Sequence, residues 1–522
     1  MITINYGVFH LKSDNIYEDV IQHYKTYNVR PLALFSDAYV FSRFWDNLYI
    51  LLLVILIMHV CNLFFIYKIA EKINIKLNGY CLTLFALAPI LAEGLYWHSA
   101  SNRIVVSLFF CLASIYFLLL YFEKREMKVE TEEFKKEEKK LEMEDDFRIQ
   151  EKKNYKEEKT KKSTFKEVIE KIKAERLREL IKKIKRQTNK IPAKAYLIFA
   201  IILNLLCVGY YEQTIALNLF LFVFVLICLK KYKYISIPIV STTWIGAWYI
   251  YFMMNGEMQA RGALSLSGIL TNTADTLSEV MANLKNMRLL FEYSLQQGKL
   301  LLTDSWVSIL LLIVIGALVF LHYKNNWGKD ENKSIIKKIL LGLIMFISPI
   351  LPFFVLETSF VAVRNMYLPI FGLMIIVELI IDLILKIVRN DFVKNLIKSS
   401  LTGIAIVLFV ISNINELNDY KKVHELDNKV VEQVLKEVGE DTIENKKSIS
   451  VNFDQEALVK YKELTNYIYS VIEADWALAG KIQVTRQDED FGPIYINEKQ
   501  DEADYVLYFD EEMNLIKSGD EI

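Results

Sequence analysis

The chain has 522 residues, of which 53% are hydrophobic and 24% charged, with a net charge of −1. A mean hydropathy of +0.23 beside so many charges means that apolar and charged residues occupy separate stretches, which excludes an ordinary soluble domain. No nucleic-acid partner is expected, and the apolar runs lack the apolar–polar alternation of membrane-barrel strands.

Residues 1–46 are polar and aromatic, with Asp14, Glu18, Asp19, Arg30 and Asp37 among them. They are expected to form an ordered extracytoplasmic loop, with a solvated tail as the alternative. The opening MITINYGVFHLK is too short and polar to span a bilayer, and it lacks the basic start, apolar core and cleavage site of a signal peptide. Beyond it, runs that suit a ~30 Å hydrocarbon core, for which about 20 residues are needed, recur at 47–68, 79–97, 103–122, 195–211, 213–229, 234–253, 306–323, 335–356, 366–388 and 398–414. Only helices satisfy their own backbone inside such runs. The expected fold is therefore mainly α: a polytopic helical membrane protein of about ten transmembrane helices with a small extracytoplasmic α/β C-terminal domain. The expected organisation is an outer loop over 1–46, helices over 47–122, a charged cytoplasmic insert over 123–194, helices over 195–414 with an outer loop at 254–305, and the outer domain over 415–522.

Lysine and arginine mark the cytoplasmic ends of spans. Lys68, Lys72 and Lys76 follow the first span, and Lys230, Lys231 and Lys233 the fifth. Lys324, Lys337 and Lys338 follow the seventh, and Lys386, Arg389 and Lys394 the ninth. These are alternate connections, so they share one side. The 1–46 segment, the turn from Glu93 to Arg103, the 254–305 loop, the 357–365 turn and the C-terminal tail then lie outside.

The insert opens on a run of Lys and Glu that reads as a solvated helix or a disordered stretch. Its second half carries Phe165, Val168, Ile169, Ile172, Leu177 and Ile181 at helical spacing, with a basic opposite face. That pattern fits a helix on an anionic leaflet, or a coiled-coil surface. In the outer loop, Leu277, Val280, Met281, Leu284, Met287, Phe291 and Leu295 form one stripe, predicting a helix along the membrane interface or one capping the bundle. Glu378, Asp382 and Lys386 fall four residues apart in span nine and share a face. They are either a proton or ion path or a buried acid–base ladder. After the last span, Leu417, Tyr420, Val423, Val430, Val431, Val434 and Leu435 predict an amphipathic helix, followed by strands at 448–453, 481–486 and 504–509 with a helix at 456–479. About 105 residues of this kind bury a small core. The five cysteines all sit in apolar runs and read as small buried hydrophobes, with no disulfide and no metal cluster.

Four short motifs remain. Tyr27-Asn28-Val29-Arg30-Pro31-Leu32 leads into a first span carrying His59-Val60-Cys61-Asn62. The next helix pair has Pro89 and Glu93, then His98 and Arg103. Tyr211-Glu212-Gln213-Thr214 follows, and later Arg364-Asn365-Met366-Tyr367-Leu368-Pro369. In this order, over roughly residues 14–375, they resemble the GT-C superfamily of multispanning glycosyltransferases, especially membrane O-mannosyltransferases and bacterial surface-polysaccharide glucosyltransferases. One departure is that the family begins with a membrane helix ahead of its first acidic loop, whereas only 13 residues precede Asp14 here. Either the start lies upstream or the amino terminus is outside, and the acid that matters is open between Asp14 and Asp19.

The resemblance implies a bacterial cell-membrane enzyme that moves a sugar from a polyprenyl-phosphate-linked donor to an extracytoplasmic acceptor, whether glycan, lipid or protein. Asp14 or Asp19 would then be the base, and Arg364 with Arg103 would bind the donor phosphate. Arg30, Glu93, His98, Glu212 and Tyr367 would be substrate-binding or structural. The lipid-linked sugar is a substrate rather than a cofactor, no metal-ligand set stands out, and a divalent-metal requirement is left open. No glycine-rich nucleotide fingerprint appears. The rival class is a transporter or flippase of lipid-linked or small polar substrates, for which matched halves with broken helices would be expected.

Overall fold

The computed structural model describes residues 30–39, 48–77, 79–91, 94–95, 98–154, 192–255, 269–304, 335–356, 360–444, 447–456, 458, 470–472, 475–486, 492–498 and 503–519. The described helices are α1 (Pro31–Tyr39), α2 (Leu48–Lys72), α3 (Gly79–Leu87), α4 (His98–Asn154), α5 (Ala193–Tyr210), α6 (Gln213–Cys228) and α7 (Ser236–Met254). They continue with α8 (Ile269–Asp304), α9 (Ile335–Ile347), α10 (Leu351–Val355), α11 (Tyr367–Leu385), α12 (Asp391–Glu444) and α13 (Asp475–Arg486). Short 3₁₀ turns cover Pro89–Leu91, Tyr232–Tyr234 and Val363–Met366. The chain divides into two compact units, Met1–Leu112 with Asn204–Ile522, and Ala113–Leu203.

Among the described residues, six helices are long and apolar enough to cross a membrane: Tyr49–Lys72, Ala100–Glu130, Ala193–Tyr210, Tyr232–Met254, Val363–Leu385 and Asp391–Gly439. The expectation was about ten. The run at 213–229 folds as α6, a 16-residue helix. The runs at 79–97 and 335–356 are broken where prolines remove a backbone donor. Pro89 follows the end of α3, and Pro349 lies in the turn between α9 and α10, whose first turn holds Pro352. The run at 306–323 lies outside the described residues.

Lipid-facing and protein-facing stripes separate clearly on α2. Leu53, Ile57, Val60 and Phe64 are exposed, while Ile55, His59, Asn62, Ile66 and Ile69 are buried. The helix is apolar nearly all round, as a span must be when its outward face meets hydrocarbon. Helices α9 and α11 meet at backbone distance. A Cβ on Gly372 would lie 2.3 Å from the Phe346 nitrogen and 2.5 Å from the Gly342 carbonyl oxygen, so this crossing depends on glycine. Polar side chains tie other helices together. Asn204 and Asn218 exchange amide hydrogen bonds of 2.8 and 3.2 Å, and Ser241 donates to Asn204 Oδ1. All three are buried.

In the second unit, the Ser114 hydroxyl donates to the Ala200 carbonyl at 2.7 Å, and Phe117 stacks on Tyr196. The Lys- and Glu-rich start of the insert continues α4 as one helix to Asn154. The amphipathic stretch at 165–185 lies outside the described residues.

The C-terminal region forms a four-stranded sheet of β1 (Ile449–Phe453), β2 (Ile494–Ile496), β3 (Tyr505–Phe509) and β4 (Leu515–Gly519), in the order β2-β1-β3-β4. Strand β1 pairs in parallel with β2 (Ile449 opposite Ile494) and with β3 (Val451 opposite Leu507), and β4 closes the edge antiparallel to β3. Every residue of β1 is buried, as expected of a central strand covered on both faces. The sheet packs on Val430, Val431, Val434 and Val438 of α12 and on Leu478 and Ile482 of α13. The amphipathic stripe expected after the last span is thus the end of α12, a continuous helix until Gly439 breaks it at φ +71°.

Two details correct the sequence expectation. Residues 481–486 are helical rather than a strand, because Leu478 and Ile482, four apart, bury one helical face. Strands β2 and β4 are additional to those expected. Most of the helix expected at 456–479 lies outside the described residues.

Candidate functional site

Three interruptions of helical structure meet in one place. Pro89–Leu91 forms a 3₁₀ turn after α3. Tyr211 and Glu212 interrupt α5 and α6, where the Thr214 hydroxyl turns back to the Tyr211 carbonyl at 2.6 Å. The turn Val363–Met366 precedes α11, whose Pro369 is tolerated because it falls in the first helical turn. In a membrane protein such irregular backbone persists only where it is buried in protein or lines a cavity.

Side chains join these breaks. Arg30, just ahead of α1, grips Glu212 with two prongs: Nε donates to Oε2 at 2.6 Å and Nη2 donates to Oε1. The guanidinium also lies over the Tyr211 ring, 4.6 Å from its centroid. Next along the chain, Gln213 Nε2 donates to the Asn365 carbonyl at 3.1 Å. Arg103 and Arg364 both lie within electrostatic reach of Tyr211, and Arg103 also within reach of Glu212. The Pro89–Leu91 and Val363–Met366 turns pack on one another. A Cβ on Gly94 would sit 3.4 Å from the Arg364 carbonyl oxygen and 3.4 Å from Tyr367 Cβ.

Beneath the turns, Tyr367 is wholly buried among Phe85, Phe371 and His59. His59 Nε2 faces the Ala86 carbonyl at 3.3 Å, and Nδ1 lies 2.6 Å from the Tyr367 hydroxyl. A carbonyl only accepts, so Nε2 carries the proton and the tyrosine hydroxyl donates to Nδ1. One turn on, Asn62 Nδ2 donates to the Val105 carbonyl at 3.2 Å, two residues after Arg103.

The sequence candidates are therefore partly assembled. Arg30 and Glu212 pair directly, Arg103 and Arg364 lie near Tyr211, and Tyr367 sits in the layer below. Both oxygens of Glu212 are engaged by Arg30, and Tyr367 is a buried support. His98 begins α4. Asp14, Asp19 and Glu93 lie outside the described residues. Gln213, within the Tyr211–Thr214 motif, ties that break to Asn365. Among the described residues, no group of three or more His, Cys, Asp and Glu side chains is placed to hold a metal ion.

A second polar cluster lies further along α11. Glu378 is fully buried and pairs with Lys338 of α9. Lys338 Nζ is also 3.3 Å from Asp382, and Lys398 of α12 is 2.8 Å from the other oxygen of Asp382. Lys386, expected on the same ladder, is exposed at the helix end. The cations come instead from two neighbouring helices.

Compared with protein-family models, curated proteins and solved structures, the chain matches none of them. Its helices define the class: a polytopic helical membrane protein that carries a small mixed sheet at its C-terminal end.

Proposed function

We propose that this chain is a GT-C-type membrane glycosyltransferase that takes a sugar from a polyprenyl-phosphate-linked donor to an acceptor outside the cytoplasmic membrane. The observation that carries the proposal is the meeting of Arg30, Glu212–Gln213 and Arg364–Asn365. These belong to three motifs that lie far apart in the chain, and they gather where three helices break. In the proposed reaction an acceptor hydroxyl oxygen attacks the anomeric carbon while the bond from that carbon to the phosphate oxygen breaks. Asp14 or Asp19 takes the hydroxyl proton. The departing lipid phosphate keeps the bonding electrons, and Arg364, with Arg103 near it, stabilises the charge that develops. Arg30 and Glu212 hold the first loop against the bundle, and Tyr367 with His59 supports the Arg364 turn from below. Glu93 and His98 are proposed to contact substrate or support the turn. The Lys- and Arg-rich connections support an outer position for this cluster and for the C-terminal sheet. A thiol introduced at exposed Glu511 should then react with an impermeant reagent in intact cells.

The direct test is transfer from a radiolabelled lipid-linked sugar in membranes containing the protein. The expected result is label moving into an acceptor. Asp14→Asn or Asp19→Asn should slow transfer by about 10²–10⁴-fold, the usual size of general-base catalysis, while donor binding survives. Counterflow of intact donor without bond breakage would favour a flippase instead.

A further inference from the structure

We propose that α8 is a positioning helix for the Arg364 segment, with Glu279 and Asn283 as its grip; this rests on the donor-phosphate role given to Arg364 above. Asn272, Glu279 and Asn283 are seven and four residues apart, so they fall on one stripe of α8. All three bind main chain in the stretch that leads to Arg364. Asn272 Nδ2 donates to the Leu356 carbonyl at 2.7 Å. Glu279 Oε2 accepts the Val361 N–H at 2.6 Å, and Asn283 Nδ2 donates to the Val361 carbonyl at 2.7 Å. Val361 is thus held at both its backbone groups, three residues before the arginine. Thr276, fully buried, lies on the same face of α8.

The physical need for such a grip is plain. Leu356 and Ala362 are extended, so the backbone near them has no helical partners, and buried peptide groups must find others. Side chains of α8 supply them. Downstream, Asn365 N–H donates to the Ala362 carbonyl at 2.9 Å, and Gln213 holds the Asn365 carbonyl. The Arg364 turn is therefore fixed on both sides, by α8 before it and by the Tyr211–Gln213 break after it. The opposite face of α8 exposes Leu270, Leu277 and Met281. Among the described residues the apolar stripe is split, with Val280 buried beside Thr276 and Asn283 while Leu277 and Met281 are exposed. A cation that meets a phosphate needs a fixed geometry, and displacement by about 1 Å costs up to roughly 10²-fold.

The test compares full-length Glu279→Ala, Glu279→Gln and Arg364→Ala in detergent, with farnesyl phosphate as the probe. Backbone hydrogen exchange is read over 360–366. Glu279→Ala should speed exchange there by about tenfold or more, for loss of a hydrogen bond to a charged acceptor, and weaken farnesyl phosphate by up to roughly 10²-fold. Glu279→Gln keeps a carbonyl acceptor and should rescue both. Should Glu279→Ala fail to reach the membrane, Asn283→Ala removes one grip and carries the same comparison. Normal farnesyl phosphate binding by Glu279→Ala, where Arg364→Ala has lost it, overturns the positioning role; so does unchanged exchange. Normal binding by Arg364→Ala overturns the phosphate role itself, and the positioning role with it.

Discussion

Helix α11 carries a polar cluster at each end, and the two are built differently. At its N-terminal end, the Val363–Met366 turn meets the Tyr211–Glu212 break through Gln213, with the Arg30–Glu212 pair and Arg103 beside it. Roughly 16 Å further along, at ~1.5 Å rise per residue, Glu378 and Asp382 face Lys338 and Lys398. There every member sits on regular helix, and two cations meet two anions at direct contact. The second arrangement is closed: its charges answer one another and fix three helices. The first recruits short irregular segments whose backbone is held by side chains, an arrangement suited to binding something brought from outside. The difference fits a structural role for the Lys338 cluster, and it is the reason the proposal above places the working site at the Arg364 turn.

The largest effect should come from opening the closed cluster. Lys338→Ala leaves Glu378 buried without its nearest cation and should destabilise the protein by about 3–5 kcal/mol, read as lost yield and a lower Tm in detergent. The double variant Lys338→Met/Glu378→Leu should recover most of that loss, since an apolar pair of similar size is often neutral. If the double variant folds but no longer transfers sugar, the cluster is more than structural. Next is Gly372→Ala, which forces a methyl into the backbone of α9 and should cost about 1–3 kcal/mol, in the same thermal assay. At the other end of α11, Arg30→Ala and Glu212→Ala should each cost roughly 1.5–3 kcal/mol, the range for a charged hydrogen bond. Their double variant should cost little more than either alone. Additive losses would separate the two residues.

The smallest effect concerns the C-terminal sheet. The Ser448 N–H and hydroxyl both donate to Asp504 Oδ2 at 2.7 Å, and these bonds hold the Asp504 carboxyl below its usual pKa. A depressed carboxylate contributes stability above its unfolded pKa and loses it as pH falls through the folded value. Asp504→Asn should therefore reduce the dependence of sheet protection on acid pH, measured by hydrogen exchange over 447–453.

Much of this was legible in sequence, for local reasons. The apolar runs, the end of α12 and the motif residues Arg30, Glu212 and Arg364 stand out because period, length or an unusual residue in greasy surroundings marks them. What could not be read depends on partners remote in sequence. Lys386 shares a face with Asp382, yet the pairing lysines are Lys338 and Lys398 on other helices. KIQVTR at 481–486 has strand-forming residues, but burial of Leu478 and Ile482 makes it helix. The stripe of Asn272, Glu279 and Asn283 is masked in the sequence by the apolar stripe of Leu277 and Met281, because hydropathy gives no weight to side chains that bind main chain.

The most direct measurement is donor-dependent sugar transfer by Arg364→Lys and Arg364→Ala, each inserted at wild-type level. Lysine keeps the charge and loses the two-pronged geometry. The account predicts partial transfer with lysine and near-complete loss with alanine, with the Lys338→Met/Glu378→Leu protein still active beside them. Wild-type rates in Arg364→Ala would contradict it.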